Sequence, residues 1–184
     1  MQLPAKSTAL VLIDLQKGVL AMNVAPHPAA EIHAGSMKLA ERFRAAGALV
    51  VHVRVSFSAG GVDALKQPVD QPANYGALPA DWDVFPQPPA PADLVITKRQ
   101  WGAFTGTELD LQLRRRGIRS IVLGGISTNI GVESTARNAY ELGYELVIAE
   151  DLCAGSSAEM HAFSFKNIFP RLSRIATSES IELG

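Results

Sequence analysis

The sequence predicts a doubly wound α/β sandwich, a parallel sheet with helices on both faces. Two observations carry this prediction. Short β-branched runs recur along the chain, and several are apolar at nearly every position, as expected of strands covered on both faces. Between them lie segments with apolar residues at helical spacing that end at glycine, so strand and helix alternate as in right-handed crossovers. A length of 184 residues is read as a single domain, residues 1–184. A composition 47% hydrophobic and 19% charged sets aside disorder and coiled coil.

The first strand is expected at Ala9–Ile13, closed by Asp14. A helix over Ile32–Ala46 follows, with Met37, Leu39, Ala40 and Phe43 along one face and Gly47 as its stop. Leu49–Val55 is the second strand. The stretch from Ser56 to Asp93 is rich in proline and glycine. It reads as a long connection, not a domain boundary, because similar strands continue beyond it. Leu94–Thr97 is the third strand, closed by Lys98. Thr107-Glu-Leu-Asp110 resembles a capping arrangement for a helix over Leu109–Arg116, ended by Gly117. Ser120–Leu123 is the fourth strand, and a glycine-rich turn leads from it into a helix over Gly131–Leu142 that stops at Gly143. Leu146–Ala149 is the fifth strand. Ser156-Ser-Ala-Glu159 fits a capping box for a helix reaching about Phe169, with Pro170 beyond it, and Arg174–Thr177 is the sixth strand.

Lys+Arg 17 against Asp+Glu 18 leaves a net charge of -1, which gives no general pull toward nucleic acid or an anionic membrane. No apolar stretch reaches the ~18 residues of a membrane span, and the first apolar run is too short for a signal segment, so a cytoplasmic setting is expected. The single cysteine, Cys153, has no internal disulfide partner, which fits a reducing compartment.

In a doubly wound sheet the ligand crevice lies beyond the carboxyl ends of the strands. Asp14 is therefore a candidate acid or base, since burial raises a carboxyl's pKa unless a partner compensates; its alternative role is a cap. Lys98 at another strand end is a candidate partner for a carboxylate or an anionic substrate, or else a lysine with a buried stem and a wet head. Gln16, Trp101 and Phe104 stand beside these charges as candidate pocket residues, although Trp101 and Phe104, three apart, also suit a core. The turn through Ile126, Ser127, Thr128, Asn129, Ile130 and Gly131 combines small residues with a helix N-terminus, which offers amide donors to negative charge. It has neither the dinucleotide fingerprint nor a P-loop. The four histidines show no metal-ligand spacing, Arg114–Arg116 suits the last turn of a helix, and Ser127 and Thr128 have no neighbouring base. Cys153 reads as a small buried hydrophobe.

Asp14 in VLIDLQ, Lys98 at the head of KRQWGAF, and GISTNIGV running into a helix together resemble the isochorismatase-like hydrolase superfamily. The resemblance runs from about Thr8 to Thr177. It is specific because three motifs occur in order, and in KRQWGAF, LQLRRRG and GISTNIGVESTARNA it points to a bacterial branch lacking the family's catalytic cysteine. It implies a three-layer α/β/α sandwich with a six-stranded, mainly parallel sheet. It also implies a site built from Asp14, Lys98 and the loop Ile126–Gly131, a non-proline cis bond at Ile126–Ser127, and a homodimer or homotetramer. Most of the superfamily uses an Asp-Lys-Cys triad with the cysteine in G-x-x-T-D-x-C-V, and Gly131 stands in that place here. Without a thiolate, the covalent route of the amidases loses its nucleophile. True isochorismatases also carry glycine there, but with tyrosine and histidine where Ser127 and Asn129 stand. The Asp-x-His pair that holds zinc in nicotinamidases is absent from His52-Val-Arg-Val-Ser56. The expectation is a hydrolase acting on a small polar metabolite by acid/base chemistry at Asp14 with Lys98, without metal or cofactor, vinyl-ether hydrolysis being one such reaction. The alternative is an inactive relative that binds a metabolite or a protein partner.

Overall fold

The computed structural model describes residues 1–72 and 78–184; residues 73–77 of the long connection lie outside the described residues. A short strand, β1 (Gln2–Leu3), precedes the main sheet. That sheet comprises β2 (Thr8–Ile13), β3 (Leu49–Val55), β4 (Leu94–Lys98), β5 (Ser120–Ile126), β6 (Glu145–Ala154) and β7 (Arg174–Ala176), and β8 (Glu182–Leu183) follows it. The helices are α1 (Lys17–Leu20), α2 (Ala29–Ala45), α3 (Leu109–Arg115), α4 (Glu133–Glu141) and α5 (Ala158–Phe163).

The sheet order is β4-β3-β2-β5-β6-β7, with every pairing parallel. The chain winds outward from β2 to β4, returns to lay β5 beside β2, and winds outward again. The gap beyond β2 and β5 is thus the topological switch point where such sheets bind ligands. All six residues of β2 are buried, as its unbroken apolar run predicts. Ala9, Val11 and Ile13 join a core with Leu109 and Leu113 of α3 and Ala136 and Ala139 of α4. Leu10 and Leu12 join the opposite core with Ile32, Leu39 and Phe43 of α2. The period-two alternation of a strand therefore serves two cores at once, which makes the three layers.

Several boundaries differ from the sequence expectation. α2 begins at Ala29, not Ile32, because Pro28 at φ −60° presets the turn into the helix. α4 is preceded by a π-turn over Thr128–Val132, so helical structure starts before Gly131. β6 runs through Glu150 and Asp151 to Ala154. Glu150 is exposed, while the Asp151 carboxylate accepts the Ser178 N–H at 2.7 Å and its hydroxyl at 2.6 Å, so a polar pair breaks the pattern without ending the strand. The cap of α5 is Ser157, not Ser156: its Oγ accepts the Met160 N–H at 3.2 Å, and no carboxylate completes a capping box. Pro170 lies inside a 3₁₀ turn, Phe169–Arg171, that prolongs the helical stretch.

One buried carboxylate braces the far side of the sheet. Asp93, before β4, accepts Arg44 Nε at 3.0 Å and Arg44 Nη2 at 2.7 Å, the Ala90 N–H at 3.0 Å, and His52 Nε2 at 3.0 Å. Burial pushes the Asp93 carboxyl up, but these donors outweigh it and hold it below the ordinary range. No helix among the described residues is long and apolar enough to cross a membrane.

Candidate active site

Asp14 is the first residue after β2, and its backbone turns out of the strand at φ +56°, a conformation aspartate adopts more readily than most residues. Its N–H donates to the Val53 carbonyl at 2.9 Å, which holds the turn against β3. Lys98 ends β4, two strands away, so its long side chain crosses the end of β3. Its ammonium lies 2.7 Å from Asp14 Oδ2 and donates to the Trp101 carbonyl at 2.6 Å. Asp14 is 6% exposed and Lys98 2%. Removing either partner would strand a buried charge, so each accounts for the other. Asp14 Oδ1, also buried, has no hydrogen-bond partner among the described residues. Burial pushes the Asp14 carboxyl up to about 6, and the attraction and hydrogen bond of Lys98 keep it from rising further.

The other wall comes from the end of β5. Gly125 sits at φ +133°, and a Cβ there would meet the Ile13 carbonyl oxygen at 2.2 Å and its nitrogen at 2.6 Å. Only glycine lets β5 press this closely on β2. The Ile126–Ser127 bond is cis, where the resemblance placed it. The π-turn then carries Gly131 over the charged pair. A Cβ on Gly131 would lie 3.0 Å from Ile13 Cγ2, 3.2 Å from Lys98 Nζ and 3.3 Å from Asp14 Oδ2. A side chain at position 131 would thus project onto the pair, and glycine places only hydrogen there.

The remaining candidates are distributed unevenly around this centre. The Gln16 amide bridges to β3: Nε2 donates to the Val55 carbonyl at 2.9 Å and Oε1 accepts the Val55 N–H at 2.8 Å. Trp101 brings its carbonyl to Lys98, while the residue as a whole is 58% exposed. Phe104 is buried in the core beside Tyr144, with ring centroids 5.7 Å apart. Ile126 belongs to the core on the α2 face. Ser127, Asn129 and Ile130 are half-buried along the turn, and Thr128 is fully buried. Asn129 Oδ1 is a second buried oxygen without a partner among the described residues. The Thr128 hydroxyl is hydrogen-bonded to His161 Nδ1 at 2.9 Å, a contact nothing in the sequence marked. Burial, with the neighbouring His27, pushes the His161 imidazole down to about 4, which favours the neutral ring. Cys153 is fully buried beside Gly125 in the sheet, and burial pushes its thiol up to about 12. Among the described residues no group of three or more histidine, cysteine, aspartate or glutamate side chains is placed to hold a metal.

Comparison with known proteins agrees with this architecture. Residues 8–180 match the family model described as the Isochorismatase domain. The chain is 55% identical over 183 residues to the isochorismatase family protein YecD of Escherichia coli O157:H7, covering 98% of this chain and 97% of that protein. It is 32% identical over 193 residues to the ureidoacrylate amidohydrolase RutB of Acinetobacter baylyi, covering 91% of this chain and 79% of that one. The solved structure of an isochorismatase family protein from Burkholderia thailandensis superposes with a TM-score of 0.92 at 44% identity, over 96% of this chain and 94% of that one. N-carbamoylsarcosine amidase from Thermoplasma acidophilum gives a TM-score of 0.76 at 25% identity, over 96% and 99% of the two chains. With the family model spanning nearly the whole sequence and the six-stranded parallel sheet shared, this chain belongs to the isochorismatase family.

Proposed function

We propose that the protein is a hydrolase that acts on a small polar metabolite by acid/base chemistry, without a covalent intermediate. The observation that carries this reading is the Asp14 carboxyl: buried, held by Lys98 through Oδ2 with only hydrogen at position 131 beside that oxygen, and without a partner for Oδ1 among the described residues. A carboxyl held up to about 6 is largely protonated in mildly acidic solution and keeps roughly a tenth of its proton occupancy at pH 7, as a general acid working near its own pKa requires. Vinyl-ether hydrolysis fits such a site. Asp14 transfers its proton to the terminal vinyl carbon, and the positive charge develops on the carbon bearing the ether oxygen. Water adds there and returns a proton to the carboxylate, and the hemiketal then collapses to a ketone and an alcohol. Lys98 orients the carboxyl and limits its basicity; the turn at Ser127–Gly131 holds the polar end of the substrate. Assembly into a dimer or tetramer and independence of metal belong to the same reading.

The names of the amidohydrolase relatives point to amide bonds, and a covalent cysteine route to amide cleavage needs a nucleophile that Gly131 does not supply. The test is a panel of vinyl ethers, carboxylates and amides assayed with the protein and its Asp14→Asn variant. Turnover of a panel member by the wild type, reduced roughly 10²-fold or more in Asp14→Asn, supports the reading. Undiminished turnover in the variant overturns it. Saturable binding with no turnover across the panel favours the non-catalytic metabolite-binding alternative.

A further inference from the structure

Asp14 and Lys98 are aligned by two turns far apart in sequence. One follows β4, where the Trp101 carbonyl accepts the Lys98 ammonium at 2.6 Å. The other is the π-turn that sets Gly131 against both charges. One hydroxyl joins them. Thr135, in the first turn of α4 and 1% exposed, donates to the Gly131 carbonyl at 2.6 Å and accepts the Ala103 N–H at 3.1 Å. A threonine returning to the carbonyl four residues before it is a common helix contact. Here the same oxygen also takes a backbone amide from the opposite turn. The Ala103 carbonyl is fixed in its own right by the Thr107 hydroxyl at 2.5 Å. Gly102 packs directly on α4, since a Cβ there would approach Asn138 Oδ1 to 2.8 Å. The Trp101–Ala103 backbone is thus laid on α4, and Thr135 is the polar link that fixes it there.

We propose that Thr135 is a positioning residue: by joining Ala103 to Gly131 it sets the Trp101 carbonyl, and through it the Lys98 ammonium, against Asp14. It touches neither charge and acts through the backbone. Its consequence for turnover rests on the reading of Asp14 as the acid; its consequence for the ion pair does not. Lys98 is the charged group that acts on Asp14 among the described residues, so a looser Lys98 registers directly in the Asp14 titration.

The test is an NMR titration of aspartate carboxyls labelled with carbon-13, with the Asp14 signal assigned by its loss in Asp14→Asn. Thr135→Val leaves the Ala103 N–H and the Gly131 carbonyl without their shared partner. It is expected to raise the Asp14 midpoint by about 0.5 pH unit or more, part of the shift an adjacent cation produces. Thr135→Ser keeps the hydroxyl and is expected to titrate like the wild type. A valine variant with a lowered melting temperature but a wild-type Asp14 midpoint overturns the proposal, because the hydroxyl would then serve the fold alone. A serine variant that fails to restore the midpoint overturns it too. Should the valine variant not fold, Thr135→Ala against Thr135→Ser decides: the alanine variant must titrate higher. No substrate is needed, so failure here and failure of the hydrolase reading are separate results.

Discussion

Replacing Lys98 by methionine removes a cation and keeps most of the side chain's bulk. In the wild type the charges lie 2.7 Å apart in a site where Asp14 is 6% exposed and Lys98 2%. At an effective dielectric of about 20, such a pair attracts by roughly 6 kcal/mol before desolvation is counted. Loss of a neighbouring cation moves a carboxyl by roughly 1–3 pH units, so the Asp14 midpoint should climb from about 6 to roughly 7–9. A carboxyl whose folded value lies above its ordinary 3.8 contributes fully below that value and loses its contribution as pH rises through about 6. In the wild type that loss is about 3 kcal/mol. Lys98→Met should extend it upward by roughly 1–4 kcal/mol, so the variant is close to wild type at pH 5 and much weaker at pH 9. Urea unfolding across that range, alongside the carboxyl titration, reads both effects. An unchanged Asp14 midpoint together with a parallel stability profile would refute the argument that Lys98 holds the carboxylate. Activity should fall roughly 10²-fold in Lys98→Met and in Asp14→Asn, and the double variant should be little worse than the poorer single one, because groups acting as a unit are non-additive.

Cys153 is buried and its thiol is pushed up to about 12, so Cys153→Ala should leave turnover within about threefold; turnover abolished in a folded variant would contradict a mechanism independent of cysteine. Gly131→Cys would place a thiol over the pair, with Cβ contacts of 3.0–3.3 Å that require its neighbours to shift by tenths of an ångström. Beside an ammonium, that thiol should react with iodoacetamide at neutral pH roughly tenfold or more faster than Cys153, and equal rates would show that position 131 does not face the pair.

Asp14 and Lys98 were legible in the sequence because each interrupts an apolar run at a strand end, where a charge is costly and needs a reason. Gly131 was legible only against the family pattern: nothing in a lone glycine states that a side chain there would touch a carboxylate 117 positions earlier in the chain. The strands of the sheet were readable from their apolar, β-branched runs, whereas β6 extends past its expected end because Asp151 turns its carboxylate to Ser178 within the strand. β1 and β8, two residues each, are too short to carry any periodicity. Phe104 and Gln16 illustrate a different limit. Position next to a site is visible in one dimension, but whether a side chain faces the crevice, the core or a neighbouring strand is set by packing. Thr135 was invisible for the same reason, since its second partner, the Ala103 N–H, comes from another turn.

The central claim is that Asp14 works as a proton donor, and the pH dependence of kcat/KM tests it most directly on any substrate the wild type turns over. The profile reports the free enzyme's essential groups. With the carboxyl held at about 6, kcat/KM should be flat at lower pH and fall about tenfold per pH unit above it, with the break moving upward in Lys98→Met. A kcat/KM that rises through pH 6, or stays level from pH 5 to 8, would contradict the account, since Asp14 would then act as a base or take no part in proton transfer.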